Sequence, residues 1–250
     1  MDAPNVFMAV PTYDGCMSVA TAHAVYIFAS RGIVNFVLPG GVDDKPGDSL
    51  LAKGFNTLWC QALNSGNVDY FAMVHADVVP EHYWLDTLIE EMHAHQLELI
   101  SATIPIKDYR GITSTALETK NPWGPRRLTL HEIHNEFPET ITQRDQAGLL
   151  VNTGCWVCKF NPRWREELCF TIQDDIVKDP KGQFHPVVRP EDWNFSRQLR
   201  LLNVPFGATR KVKIRHLGTG AFDNDKVWGE WKTDQAHATK MGDVTKPGVM

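Results

Sequence analysis

An apolar run that stops at a carboxylate, Tyr70-Phe-Ala-Met-Val-His-Ala-Asp-Val-Val-Pro80, does most to limit what this chain can fold into. A short unbroken apolar stretch bounded by turn residues reads as a strand buried on both faces. Asp77 then arrives at the carboxyl end of that strand, the edge at which open α/β sheets bind ligands. Pro80 follows, and proline suits the first turn of a helix. The flanking sequence keeps the same rhythm. Strands are expected over 6–10 and 35–38, with a helix over 18–30 stopped near Gly32. Helices over 49–63 and 80–95 and a strand over 98–104 continue it, the first of these helices following the turn-rich Pro39-Gly-Gly-Val-Asp-Asp-Lys-Pro-Gly47. Strands separated by helices predict a mostly parallel central sheet flanked by helices, Rossmann-like in type.

Past Pro105 the pattern loosens. Residues 107–148 are polar, carry Asn121-Pro-Trp-Gly-Pro125, and read as a long functional or mobile loop region. Regularity returns with a strand over 151–160, a short helix after Pro162, a helix over 191–202 and a strand ending at His216. The tail, 223–250, is polar with Trp228 and Trp231 as its anchors, and reads as a lid or a poorly ordered end. At 250 residues, 43% hydrophobic and 22% charged, a single domain over 1–222 is the economical expectation, its halves meeting near residue 105.

Composition removes several function classes. A net charge of −5 and a pI near 6.0 give no global field toward nucleic acid or anionic lipid. No apolar run approaches the roughly 20 residues that cross a bilayer, and Met1-Asp-Ala-Pro-Asn5 lacks the basic flank and apolar core of a signal peptide, so a cytoplasmic location is expected. The 5 cysteines are odd in number and scattered through apolar stretches, which predicts buried thiols. Cys155-Trp-Val-Cys158 has redox spacing, but on a strand its sulfurs fall on opposite faces, so core packing is expected.

Three features carry chemistry. Asp77 offers a hard oxygen ligand for Mg²⁺ or Mn²⁺, ions that take few protein ligands and fill the rest of their shell with phosphate and water; the alternative is a helix cap near Glu81. Arg189-Pro-Glu-Asp-Trp-Asn-Phe195 opens a helix with two carboxylates, which suit either acid–base work or compensation of the helix dipole. His216 ends an alternating strand, Lys211-Val-Lys-Ile-Arg-His216, beside Gly218 and Gly220, where backbone can approach a diphosphate.

In this order the landmarks resemble the GT-A glycosyltransferases, which move a sugar from a nucleotide-diphosphate donor to an acceptor hydroxyl. The resemblance runs over about residues 6–220 through Val10-Pro-Thr-Tyr-Asp-Gly15, Lys53-Gly-Phe-Asn56, His75-Ala-Asp77, Val151-Asn-Thr-Gly-Cys-Trp156, Glu191-Asp192 and Arg215-His-Leu-Gly218. It implies a GT-A-like fold with residues 1–105 as the donor half and 106–222 as the acceptor half. It further implies that Pro11, Thr12, Tyr13, Asp14, Lys53, His75 and Ala76 contact the nucleotide sugar, that Asp77 and His216 hold Mn²⁺ or Mg²⁺ bridging the diphosphate, and that Asp192, with Glu191, serves as catalytic base. His75 replaces the first Asp of the family's D-x-D element, so it stands as a ribose donor, a metal ligand or a core residue. Lys53, Arg210 and Arg215 are each a further phosphate contact or, more readily residue by residue, a solvated surface charge. Trp123, Trp156 and Trp193 are a platform for an acceptor saccharide or a set of core residues. A nucleic-acid acceptor is disfavoured by charge, and His93 and His95, two apart on a helix, are expected on the surface. The rival readings are a nucleotidyltransferase, which Val10 to Met17 serves poorly because it contains Gly15 alone, and a nucleotide-sugar binding module without chemistry.

Overall fold

The computed structural model describes residues 3–12, 15–32, 34–39, 50–121, 123–218 and 220–235. In chain order the elements are β1 (Asn5–Ala9), α1 (Val19–Ala22) running into a π-helical turn (His23–Ile27), β2 (Asn35–Val37), α2 (Leu51–Ser65), β3 (Tyr70–Val74), β4 (Val78–Pro80), α3 (Trp84–Ala94) and β5 (Leu99–Ala102). There follow β6 (Ile112–Leu117), β7 (Arg126–Thr129), α4 (Leu130–Asn135), β8 (Thr140–Thr142), β9 (Leu149–Leu150) and β10 (Cys155–Lys159). The last are β11 (Gln173–Lys178), β12 (Phe184–Arg189), α5 (Glu191–Leu201), β13 (Phe206–Thr209), β14 (Ile214–Leu217) and β15 (Ala221–Asp223).

The main sheet has the order β2-β1-β3-β10-β5-β13-β8. β1 runs parallel to β2 and β3, and β13 runs parallel to β5. β10 lies antiparallel between β3 and β5, and β8 is antiparallel to β13. Because β10 opposes both its neighbours, β3 and β5 point the same way. The carboxyl ends of β1, β3, β5 and β13 therefore share one edge with the amino end of β10, and that edge assembles the site described below.

Alternation along buried strands divides the core into two. Phe7, Phe71, Met73, Trp156 and Cys158 meet Phe55 and Trp59 of α2 and Phe195 and Leu199 of α5 in an aromatic cluster. Val6, Met8, Ala72, Val74, Ile100, Cys155 and Val157 meet Trp84, Leu85, Leu88 and Met92 of α3 in a largely aliphatic one. In α2 the buried residues Phe55, Trp59 and Ala62 keep helical spacing, and the helix stops at Gly66, whose φ of 72° is a left-handed cap. The two cysteines of Cys155-Trp-Val-Cys158 do fall on opposite faces, free and buried.

A mostly parallel, helix-flanked Rossmann-like sheet of GT-A type is not what forms. Half of the six pairings in the main sheet are antiparallel, three smaller sheets stand apart from it, and the described residues hold five α-helices. The reason lies after Ala102, where strand–helix alternation stops. Residues 107–148, expected as loop, instead contribute β6, β7, α4 and β8, with β6 pairing β7 and β9. Thr113, Thr115 and Thr129 are buried there, so polar residues that read as loop are threonines packed inside strands and caps. Residues 173–189 form a hairpin of β11 and β12 that alternation did not announce. The helix expected from Pro80 begins at Trp84, because Val78–Pro80 pairs with β14 instead. The turns after Pro162 form no helix. Among the described residues no helix is long and apolar enough to cross a membrane.

Candidate functional site

The site begins where β3 ends. His75 N–H donates to the Gly154 carbonyl at 2.9 Å, continuing the β3–β10 pairing past Val74, and Val78 N–H closes a turn onto the His75 carbonyl at 3.0 Å. Asp77 sits in that turn and its own carbonyl accepts from Leu217 N at 2.8 Å, which docks β14 beside it. At Gly154 a Cβ would stand 2.7 Å from Ile104 Cδ1, the end of a side chain that can shift, and 3.7 Å from His75 Nδ1. Asn152 braces the neighbouring turn by donating to the Ala102 carbonyl at 2.6 Å and accepting from Gly154 N at 3.0 Å.

A lysine and a histidine converge on Asp77. Lys107 Nζ bonds its Oδ2, and His216 Nε2 lies 3.7 Å from Oδ1. Burial by itself would raise the Asp77 carboxyl, but His216 and Lys107 beside it hold it well below the usual carboxylate range. His216 Nδ1 is 2.8 Å from the Pro105 carbonyl, an atom that can only accept, so Nδ1 carries the proton and Nε2 presents a lone pair when the ring is neutral. Gly218 makes room for Lys107: a Cβ there would stand 3.0 Å from Lys107 Cδ.

The pair offers a divalent cation one carboxylate oxygen and one ring nitrogen, beside a Lys107 ammonium already on the same carboxylate. Neighbouring ligands of a six-coordinate ion with bonds of about 2.1 Å stand roughly 3 Å apart, so the Asp77–His216 spacing of 3.7 Å needs only a side-chain adjustment. The Nδ1–H bond to Pro105 is the outer-shell support usual for a ligating histidine. No group of three or more His, Cys, Asp or Glu able to hold an ion occurs among the described residues, so most of such an ion's shell would come from substrate and water.

The carboxylate pair approaches through the β10 turn. Thr153, beside Gly154, hydrogen-bonds the Glu191 side chain. Ser196, one turn into α5, accepts from Val151 N at 2.9 Å and donates to the Asp192 carbonyl at 2.9 Å. The first turn of α5 is thereby clamped to the 151–154 segment, whose Gly154 carbonyl accepts from His75 N. Both acids are buried. Burial, with the Glu191 charge adding and Arg127 opposing, pushes the Asp192 carboxyl up to about 7, and burial raises Glu191 as well. Asp192 Oδ1 also accepts from Trp193 N at 2.8 Å, within the first turn of α5.

The remaining expectations divide. Pro11 and Thr12 follow β1 at the same sheet edge, whereas Tyr13 and Asp14 lie outside the described residues, as do 40–47 of the turn-rich segment and 236–250 of the tail. Ala76 forms the middle of the Asp77 turn, half-buried. His75 is part-buried and its ring packs 5.1 Å from that of Phe55, with Nε2 out of solvent and unpartnered. Burial lowers it to about 4, Asp77 opposing and His216 and Lys107 adding, so it is neutral near pH 7. Lys53 is exposed on the first turn of α2, and Asn56 brackets the backbone of Phe170. Arg210 is taken up by Glu139 at 3.2 Å and the Ile133 carbonyl. Arg215 alternates to the face of β14 opposite His216 and lines a separate cavity of about 580 Å³ with His23, Phe28 and His82. Trp156 belongs wholly to the aromatic core, whereas Trp123 and Trp193 lie under Arg189 and Arg127 at 4.6 and 4.9 Å. His93 is exposed, 3.0 Å from the Tyr70 hydroxyl.

Lys107, Thr153 and Arg127 join the site without having been singled out in the sequence. Lys107 follows Pro105 and Ile106, past the carboxyl end of β5 at Ala102. Arg127 belongs to β7, in the segment read as loop, so its approach to Asp192 carried no local signal.

Among solved structures the chain is similar to the crystal structure of A197 from STIV, at 13% sequence identity and a TM-score of 0.53, over 91% of this chain and 94% of that one. At that identity the likeness concerns the fold alone. No protein-family model matches the chain, and no curated protein does.

Proposed function

We propose that this chain is a glycosyltransferase that moves a sugar from a nucleoside-diphosphate donor to an acceptor hydroxyl. The observation that supports it is convergence at one sheet edge: Asp77 and His216, 3.7 Å apart, are joined through the His75–Gly154 hydrogen bond and the Thr153–Glu191 contact to a buried carboxylate raised to about 7. Asp77 and His216 would hold Mn²⁺ or Mg²⁺, and that ion would offset the charge that grows on the departing diphosphate. Lys107, already bonded to Asp77, adds a further positive charge at the same place. Asp192 in its ionised form takes the acceptor hydroxyl's proton as the oxygen attacks the sugar. Thr153 holds Glu191 at the start of α5, and Arg127 keeps Asp192 ionisable near neutral pH.

The test is release of nucleoside diphosphate from UDP-, GDP- and dTDP-sugars with Mn²⁺, run beside thermal stabilisation by UDP, GDP, dTDP and CMP. Metal-dependent turnover of one donor, with a matching diphosphate shift, is expected. Stabilisation without any release would turn the reading into a binding module, and neither effect would end it.

A further inference from the structure

The chain carries a net charge of −5, yet three guanidinium groups, at the end of β12 and along α5, gather about one carboxylate. Arg197 Nε donates to Glu118 Oε1 at 2.5 Å, and Arg200 Nη2 stands 2.7 Å from Oε2. Arg189, the last residue of β12, is close enough for its guanidinium to be held down, after burial, by the Arg197 charge, with Glu118 opposing. Three positive charges against one negative leave a surplus of two. Arg197 and Arg200 share a stripe of α5 with Trp193, at i, i+4 and i+7.

The cluster also has donors to spare. Arg189 is stacked on Trp123, its Cζ 4.6 Å from the ring centre, and Nη1 donates to Gln173 at 3.0 Å, but its Nε is buried without a partner. Trp193 Nε1, adjacent in sequence to Asp192, is likewise buried without a partner. Buried donors without acceptors cost free energy until an acceptor arrives. Stacking fixes the plane of the Arg189 fork, and a fixed fork matches two oxygens of an oxyanion.

We propose that Arg189, backed by Arg197 and Arg200, forms an oxyanion-binding subsite that receives a phosphate, sulfate or carboxylate borne by the acceptor saccharide. The inference rests on the transferase reading for the word acceptor; the binding site itself does not. An anionic group here relieves the like-charge crowding, and Arg189 directly precedes Pro190-Glu191-Asp192 at the start of α5.

Calorimetric titration of the intact chain in phosphate-free, low-salt buffer without donor or metal tests it, with glucose 6-phosphate, glucuronate and glucose as probes. Both anionic sugars are expected to bind at least tenfold more tightly than glucose, with affinity falling as salt rises. Arg189→Gln should weaken glucose 6-phosphate at least tenfold with an unchanged circular dichroism spectrum. Glu118→Gln should tighten it, a direction that loss of folding does not produce. Equal binding of glucose, no binding of either anion, or an unchanged Arg189→Gln would overturn the subsite. Sulfate competing as strongly as the sugar phosphate binds would reduce it to a bare anion site and end the acceptor assignment. Anionic sugar binding without donor turnover would retain the subsite and sink the transferase reading, while donor turnover with no anionic preference would do the reverse.

Discussion

Two carboxylates at the same sheet edge are driven in opposite directions by their surroundings. Asp77 is partly exposed and paired with Lys107 and His216, so it stays ionised; Asp192 is buried beside Glu191, so it resists ionisation. Asp77→Asn keeps the volume and removes the charge. Metal-dependent donor turnover should fall about a hundredfold, while stability changes by less than about 1 kcal/mol because the ion pair is half exposed; unaltered turnover would remove Asp77 from the site. Asp192→Asn should depress transfer by about 10²–10⁴ while leaving donor affinity in place, as expected of a general base. On the proposed reading, transfer by the wild-type protein should rise with pH through about 7, since Asp192 would have to be ionised to act as base. Arg127→Gln removes the cation that opposes this shift, so the same limb should move to higher pH. Stability runs the other way. The folded protein holds the Asp192 proton that the unfolded chain has already lost, so this group lowers stability as pH rises from about 4 through about 7. Melting curves of Asp192→Asn over that range should lack this part of the slope.

At the scale of elements, two kinds of segment hold the site. The β3 and β10 strands are buried on both faces and paired, the pairing continued by the His75–Gly154 bond. The tail, by contrast, is fastened at a few points. Trp231 N–H donates to the Arg110 carbonyl at 3.3 Å, Thr129 Oγ1 donates to the Lys232 carbonyl at 2.8 Å, and Asp234 accepts from Arg127 N at 3.1 Å. Between them Gly111 and Gly229 lie back to back. Both have positive φ, 73° and 89°, and a Cβ on Gly111 would stand 2.1 Å from the Trp228 carbonyl oxygen. Gly111→Ala therefore meets backbone rather than a yielding side chain, and adds left-handed strain of about 1–2 kcal/mol. It should release the segment around Trp228 and Trp231, raising proteolytic cleavage there and shifting Trp fluorescence toward that of exposed indole; unchanged cleavage would mean the back-to-back packing is not what holds the tail. The described part of the tail, up to residue 235, is thus bound down beside β6 and β7.

For the whole molecule, the core that carries the edge is aromatic on one face. Trp59 touches Phe71, Phe160, Trp156, Trp164 and Phe170 through ring contacts between 4.7 and 6.3 Å, and its Nε1 donates to the Arg165 carbonyl at 2.9 Å. Trp59→Ala should cost about 3–5 kcal/mol of unfolding free energy in denaturant titration, and Phe55 beside His75 would feel the loss. A cost below 1 kcal/mol would show that the helix α2 is not what supports the β3 edge.

How much of this was legible follows from the range of the forces involved. Side-chain periodicity is local, so the 70–74 strand, the 191–201 helix and the arrival of Asp77 at a strand end could all be read from neighbours in sequence, and the opposite faces of Cys155 and Cys158 follow from a period of two. Strand direction is not local. Nothing in Cys155-Trp-Val-Cys-Lys says whether it runs with β3 or against it, and the antiparallel choice is what turns an expected Rossmann-like sheet into a mixed one and brings Gly154 to His75. The same holds for His75 against Phe55, for Lys107 on Asp77 and for Arg127 near Asp192: each depends on elements far apart in the chain, whose meeting is decided by burial summed over the whole core. The residue types and the order of the landmarks belong to the sequence. Which charges face one another, and therefore which carboxylate stays ionised and which is held near neutrality, belongs to the tertiary structure, because desolvation and Coulomb interaction depend on distance through space rather than along the chain.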